Sequence, residues 1–435
     1  MSKAARMART STRGGLNLFW GLVISTIISA AGFIIVARLL SPSEYGLVSI
    51  ALMAPTLVTL LRDWGINSAL IKYTAQYKGG NKDDNIKNIL ATGLIFESVL
   101  GIFLSLLSFL LSGFIAINIL QRPYIKSLIE IASLTILTEA LIATAQSAFT
   151  GYERMELKSI IMICQAVFKT VLMLFLIFIG LGAYGAILGT TLASLTTGLI
   201  SIVILYTSLY RNLHTSNDVR PRIMETARTM FRFGLPLSIA SILNSLLIQF
   251  YNFLIAIYCE DFLIGNYKVA TNFVILITFF ATPIGTVLFP AFSQIDQQKE
   301  NETLRNVFQF SVKYTALLIV PATMIIMSLS QPGVSTIFGE KYSYAPLYLT
   351  LSAIEYLYSA LGSLSLESLI AGQGKTRTNL KLALISGAVG FPLSLILIPK
   401  LGIIGLIATT LIARVPSLIV GLWWVKKNFA FTIDW

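Results

Sequence analysis

LGAYGAILGTTLASLTTGLISIVILY, residues 181–206, contains no Asp, Glu, Lys or Arg. At about 1.5 Å of rise per residue, a helix of this length crosses the ~30 Å hydrocarbon core of a bilayer. The run does not alternate polar with apolar, so it reads as a helix and not as a strand of a membrane barrel. Its opening also has a second copy. LGIIGLIATTL, residues 401–411, sets Gly402 and Gly405 against Gly182 and Gly185 at an offset of 220. An apolar span that occurs twice predicts a membrane protein with an internal repeat.

The rest of the chain agrees. It is 55% hydrophobic, 12% charged and has a mean hydropathy of +0.78; a soluble domain carries about 25% charged residues. Apolar runs fall at 16–37, 45–61, 89–111, 125–149, 159–180, 183–206, 233–257, 262–291, 307–329, 345–370, 379–398 and 401–425. Further matches keep nearly the same offset: GLNL (15–18) with GLPL (234–237), EYGLVSIA (44–51) with LIGNYKVA (263–270), and TGYERM (150–155) with AGQGKT (371–376). A repeat of six spans, an even number, gives both halves the same orientation. The expectation is an all-α polytopic membrane protein of twelve transmembrane helices. Two six-helix bundles, 16–206 and 233–427, are related by a parallel repeat. A basic N-terminus (1–15), a linker (207–232) and a tail (428–435) complete the chain. Two such bundles facing each other can rock about a central cavity.

Net charge +12 does not point to nucleic acid. With the N-terminus in the cytoplasm, 23 of the 32 Lys and Arg residues fall in inner connections, five in outer ones and four in spans. This is the positive-inside bias of a plasma-membrane protein with both termini cytoplasmic. MSKAARMARTSTRGG precedes a run longer than a signal peptide's ~7–15-residue core, so 16–37 reads as a retained span.

AGQGKT resembles the end of a phosphate-binding loop, but that motif requires glycine where this chain has Leu369. The stretch reads instead as the turn between spans ten and eleven. The only histidine is His214, and Cys164 and Cys259 both fall in spans, which leaves almost no metal-ligand set. No nucleophile or acid/base constellation occurs in the short outer connections. The expectation is a non-enzyme without a cofactor.

FIIVARLLSPSEYGLVSIALMAPTLVTLLRDWGINSALIKY, residues 33–73, resembles the polysaccharide transport family, with its Wzx-type oligosaccharide flippases, of the multidrug/oligosaccharidyl-lipid/polysaccharide (MOP) exporter superfamily. ARLLSPSEYG (37–46) and DWGINSALIKY (63–73) carry the resemblance, and GYERMELKS (151–159) fits the family's connection between spans four and five. The resemblance implies a flippase for lipid-linked oligosaccharides that works among membrane lipids and beside polysaccharide-assembly enzymes. Two alternatives share the fold: a MATE-like ion-coupled small-molecule exporter and a lipid-II-type flippase.

Ionisable residues inside spans are costly and normally face a cavity or a partner. Lys169, Lys268 and Arg414 are the cations best placed for a phosphate-linked sugar, with Arg38 at the end of span one. The structural alternative is snorkelling, or pairing with a buried glutamate. Glu97, Glu139, Glu355 and Glu367 are candidates for coupling to H+ or Na+; their alternative role is to neutralise the cations. Tyr348, Tyr356 and Tyr358 could stack on sugar rings. Pro55, Pro283, Gly285 and Pro290 would bend spans two and eight.

Overall fold

Left-handed glycines interrupt the helices of this chain where spans break or reverse. The computed structural model describes residues 3–62, 64–80, 82–213, 223–274 and 300–429, with scattered positions between 276 and 295. Within the described residues there are helices and no strands. The chain divides into two compact units: Met1–Leu40 with Leu47–Gln249, and Ser41–Gly46 with Phe250–Trp435.

The first unit contains α1 (Lys3–Leu39), most of α2 (Pro42–Leu60), α3 (Ile66–Gly79), α4 (Asp83–Phe114), α5 (Lys126–Gly151), α6 (Met155–Leu176), α7 (Gly182–Ser208) and most of α8 (Ile223–Tyr258). α1 packs along α6, α5 packs against α4 and α7, and α3 packs against α4 and α5. A core of buried side chains that includes Ile66, Leu70, Leu90, Phe149 and Met230 joins these helices.

The sequence places the second span at 45–61 and assigns Arg62 and Lys72 to a cytoplasmic connection. The end of that span agrees with the structure, and a further helix follows it. α2 ends at Leu60, and α3 begins at Ile66 as a separate helix that buries Ile66, Ala69, Leu70 and Thr74. Gly65 closes the break at φ 76°, and its backbone lies directly on that of Gly234. Any Cβ here would meet main chain, and positive φ disfavours other residues as well. The hydropathy of the sequence stops at the charged Arg62-Asp63 pair, where α2 also ends, and α3 begins beyond it.

The second unit contains the end of α8, α9 (Asp261–Phe273), α10 (Asn301–Ser328), α11 (Ser330–Phe338), α12 (Ala345–Leu357), α13 (Ser363–Gly372) and α14 (Thr376–Phe429). The stretch expected to be span ten is broken. α12 ends in a turn of 3-10 helix, Tyr358–Leu361, and Gly362 at φ 80° starts α13. Buried Asn266 of α9 accepts from the Tyr344 and Ala345 amides at 3.0 and 3.1 Å, capping the start of α12.

Among the described residues, seven segments are long and apolar enough to cross a membrane. Two of these, Met155–Asn212 and Arg377–Phe429, reverse within themselves at Gly180–Gly182 and Gly402. Gly185 then lies against the Leu176 carbonyl and Gly405 against the Leu397 carbonyl, so each hairpin is closed at main-chain distance. Pro283, Gly285 and Pro290 lie outside the described residues, as does much of the expected eighth span and His214. Pro55 lies inside α2.

AGQGKT is a helix end. Gln373 N donates to Leu369 O and Lys375 N to Ile370 O, both at 3.0 Å, with Gly374 at φ 70°. This is the glycine-terminated cap by which helices satisfy their last carbonyls.

Candidate functional site: charges at two broken helices

In a bilayer the freed backbone and any charge beside a helix break must be satisfied by protein or by cavity water. Both breaks here carry charge.

At the first break, Arg62 and Asn67 stand on either side of Gly65. Arg62 Nε lies 3.6 Å from Glu97 Oε2 of α4, and its Nη1 donates to the Ile136 carbonyl of α5 at 3.3 Å. Asn67 Nδ2 donates to Glu97 Oε1 at 3.0 Å. The pair is closed to solvent, with side-chain exposures of 12% and 1%. Next to it, Gln165 of α6 donates to Glu139 of α5 at 2.9 Å, and Glu139 lies in the fields of both Lys169 and Arg62. Lys169 is one turn beyond Gln165 on α6 and remains exposed. The first unit thus gathers Arg62 from the α2–α3 connection, Glu97 from α4, Glu139 from α5 and Lys169 from α6.

At the second break, Arg414 of α14 is shared by two carboxylates. Its Nη1 donates to Glu355 Oε1 of α12 at 2.9 Å and its Nη2 to Glu367 Oε1 of α13 at 3.2 Å. Glu355 precedes the break and Glu367 follows it. This cluster is open: side-chain exposures are 35% for Arg414, 36% for Glu355 and 63% for Glu367. Tyr358 Oη donates to the Leu411 carbonyl at 3.2 Å, tying the break to α14.

The expected residues therefore separate. Arg414 is brought together with Glu355 and Glu367 as a cation–carboxylate group, whereas Glu139 accepts from Gln165 and feels Lys169 only through its field. Glu97 belongs to a closed pair with Arg62. Lys268 of α9 is half-buried and has no carboxylate partner among the described residues. Arg38 is exposed at the end of α1. Tyr348 is 3% exposed, packed on Tyr267 and Tyr344, and so is closed to a sugar ring. Arg62 and Asn67 escape the sequence reading because they follow the end of an apolar run. The DWGIN glycine beside them was their only local signal.

A groove of about 720 Å³ lies between α4, α5 and α7, with Glu130 in its wall. Glu130 is paired with Lys126 at 3.7 Å and accepts from Ser112 at 3.3 Å.

Apolar helices, two glycine-closed hairpins and charge-bearing helix ends define a multi-pass helical membrane protein. The chain belongs to the polysaccharide biosynthesis protein family, whose model matches residues 35–346. Among curated relatives it is 28% identical to the lipopolysaccharide biosynthesis protein WzxC of Escherichia coli over 79% of this chain and 67% of that one. It is 24% identical to the probable low-salt glycan biosynthesis flippase Agl15 of Haloferax volcanii over 45% of this chain and 41% of that one. An inward-facing multidrug resistance MATE transporter of the MOP superfamily superposes with a TM-score of 0.74 at 16% identity, covering 93% and 94% of the two chains. The lipid II flippase MurJ superposes with a TM-score of 0.73 at 18% identity, covering 95% and 89%. At these identities the structural likeness shows a shared fold.

Proposed function

We propose that this protein is a flippase that moves polyprenyl-(pyro)phosphate-linked oligosaccharide or polysaccharide repeat units across the cytoplasmic membrane by alternating access. It would serve surface polysaccharide or glycoprotein assembly. Family membership is the observation that carries this reading, and the names of WzxC and Agl15 support it. In this reading the twelve spans form two six-helix halves related by a parallel repeat, with both termini cytoplasmic. Lys169 and Arg414 meet the cargo's phosphate, and Arg38 and Lys268 lie nearer the outer side. A dianion leaving water needs fixed positive charge, and its attraction to that charge strengthens as the local dielectric falls. Glu97, Glu139, Glu355 and Glu367 are the groups through which H+ or Na+ could couple.

Deletion of the gene, followed by analysis of lipid-linked glycans on each membrane face, tests the reading. Accumulation of a complete lipid-linked glycan on the cytoplasmic side is expected. Unchanged glycans together with altered sensitivity to small toxic compounds would favour the exporter alternative instead.

A further inference from the structure

The Arg414 cluster carries one guanidinium and two carboxylates, so it is one negative charge in excess when both glutamates are ionised. Arginine recognises phosphate through the fork of N–H groups at its tip. Here Nη1 is engaged by Glu355 and Nη2 by Glu367, from opposite sides of the α12–α13 break. A phosphate that grips Arg414 bidentately must take donors these carboxylates now hold. If both stayed ionised beside it, one cation would face at least three negative charges in a medium that screens poorly, an arrangement that proteins avoid.

The openness of the cluster matters as much as its charge. Arg62 and Glu97 form a pair of the same chemistry, but they are sealed, whereas Arg414 and its carboxylates are one-third to two-thirds exposed. The remaining titratable groups facing the cluster are phenols: Tyr267 of α9, and Tyr356 and Tyr358 at the end of α12, lie in the field of Glu355. On α10, which also packs against α12, Lys313 and Tyr314 are exposed. Among the described residues none supplies a second cation to the cluster, so a proton is the compensating charge.

We propose that Glu355 and Glu367 are exchangeable counter-ions of Arg414, and that an anionic isoprenyl phosphate binds there together with a proton taken up by these carboxylates. The proposal rests on the reading of Arg414 as a phosphate contact. It adds the direction of coupling: acid pH strengthens cargo binding, and cargo and proton occupy the site together.

Farnesyl diphosphate is a short, soluble probe. Calorimetry with the purified full-length protein, in buffers of different ionisation enthalpy, counts the protons taken up on binding. Uptake of about one proton by the site corresponds to about tenfold tighter binding per pH unit lowered. The Glu355→Gln/Glu367→Gln double variant should bind more tightly than wild type at neutral pH and take up fewer protons, any remainder belonging to the probe. Equal uptake by wild type and double variant, or weaker binding by the double variant, overturns the exchange. Should the double variant fail to accumulate, Glu367→Gln, at the most exposed of the three positions, reports the same change at reduced size. Absence of wild-type binding at every pH is a different result: it removes Arg414 as a phosphate contact and the exchange with it.

Discussion

Gly46 and Gly265 hold each other's helices at main-chain distance. A Cβ on Gly46 would run into the Asp261 carbonyl, and a Cβ on Gly265 into the Pro42 carbonyl, 3.1 Å from the Gly46 nitrogen. The relation is reciprocal: each glycine lies against the residue four positions before the other. Both members of each pair differ by 219, the offset of the sequence repeat. The first turns of α2 and α9 thus meet through corresponding positions.

Replacing Gly46 or Gly265 by Val should therefore be costly. Overpacking a close contact typically costs about 1–3 kcal/mol, and here the obstacle is backbone. We expect a lower melting temperature in detergent for either variant. Gly79→Ala, where a new Cβ meets nothing within 4 Å, should leave the transition in place. Equal melting of all three proteins would show that the helix starts can part freely.

Arg62 and Glu97 should behave as a unit. Removing one partner of a buried ion pair costs about 3–5 kcal/mol, because the other charge is left uncompensated. Arg62→Gln and Glu97→Gln are each expected to reduce folded protein in the membrane. The double variant should recover much of that loss, as read by size-exclusion profiles after extraction. Additive losses would argue against a direct pair.

For the proposed cargo contacts, Lys169→Gln and Arg414→Gln should reduce lipid-linked glycan translocation while leaving the membrane protein level near that of wild type. Arg414→Lys should restore part of the activity, since lysine keeps the charge and loses the bidentate fork. Normal transport by both neutral variants would remove these residues from the cargo path.

Lys375→Ala should leave transport intact, because the AGQGKT segment ends a helix. Gly374→Ala, by contrast, forces a side chain into positive φ and should lower thermal stability by about 1 kcal/mol. Transport lost in Lys375→Ala at normal expression, with ATPase activity in purified wild type, would reverse this assignment.

Cysteine labelling reads the orientation. With Cys164 and Cys259 replaced, Asn212→Cys is expected to react only from the cytoplasmic side and Ser343→Cys only from outside. The opposite pattern would invert the proposed topology.

The hairpin turns were legible in the sequence because glycine is nearly obligatory there: Gly182 and Gly402 both take positive φ and align in the repeat. The break at Gly65 was not legible. A charged residue ends an apolar run whether it enters water or finds a buried partner, and Glu97 lies far along the chain on another helix. The pairing of Arg414 was visible only as an alternative. Helix periodicity puts glutamates in spans ten and twelve's neighbourhood, but only the break at Gly362 turns Glu355 and Glu367 toward one guanidinium.

The buried pair at the first break also sets an order of events during synthesis. Asn67 is made 30 residues before Glu97, and Arg62 is made 74 residues before the Ile136 carbonyl it donates to. At about 5–20 residues per second, these waits are roughly 2–6 and 4–15 seconds. Throughout that interval Arg62 lacks the partners on α4 and α5 that it has in the folded chain. The contacts that hold the α2–α3 junction are therefore complete only once both of those helices have been made.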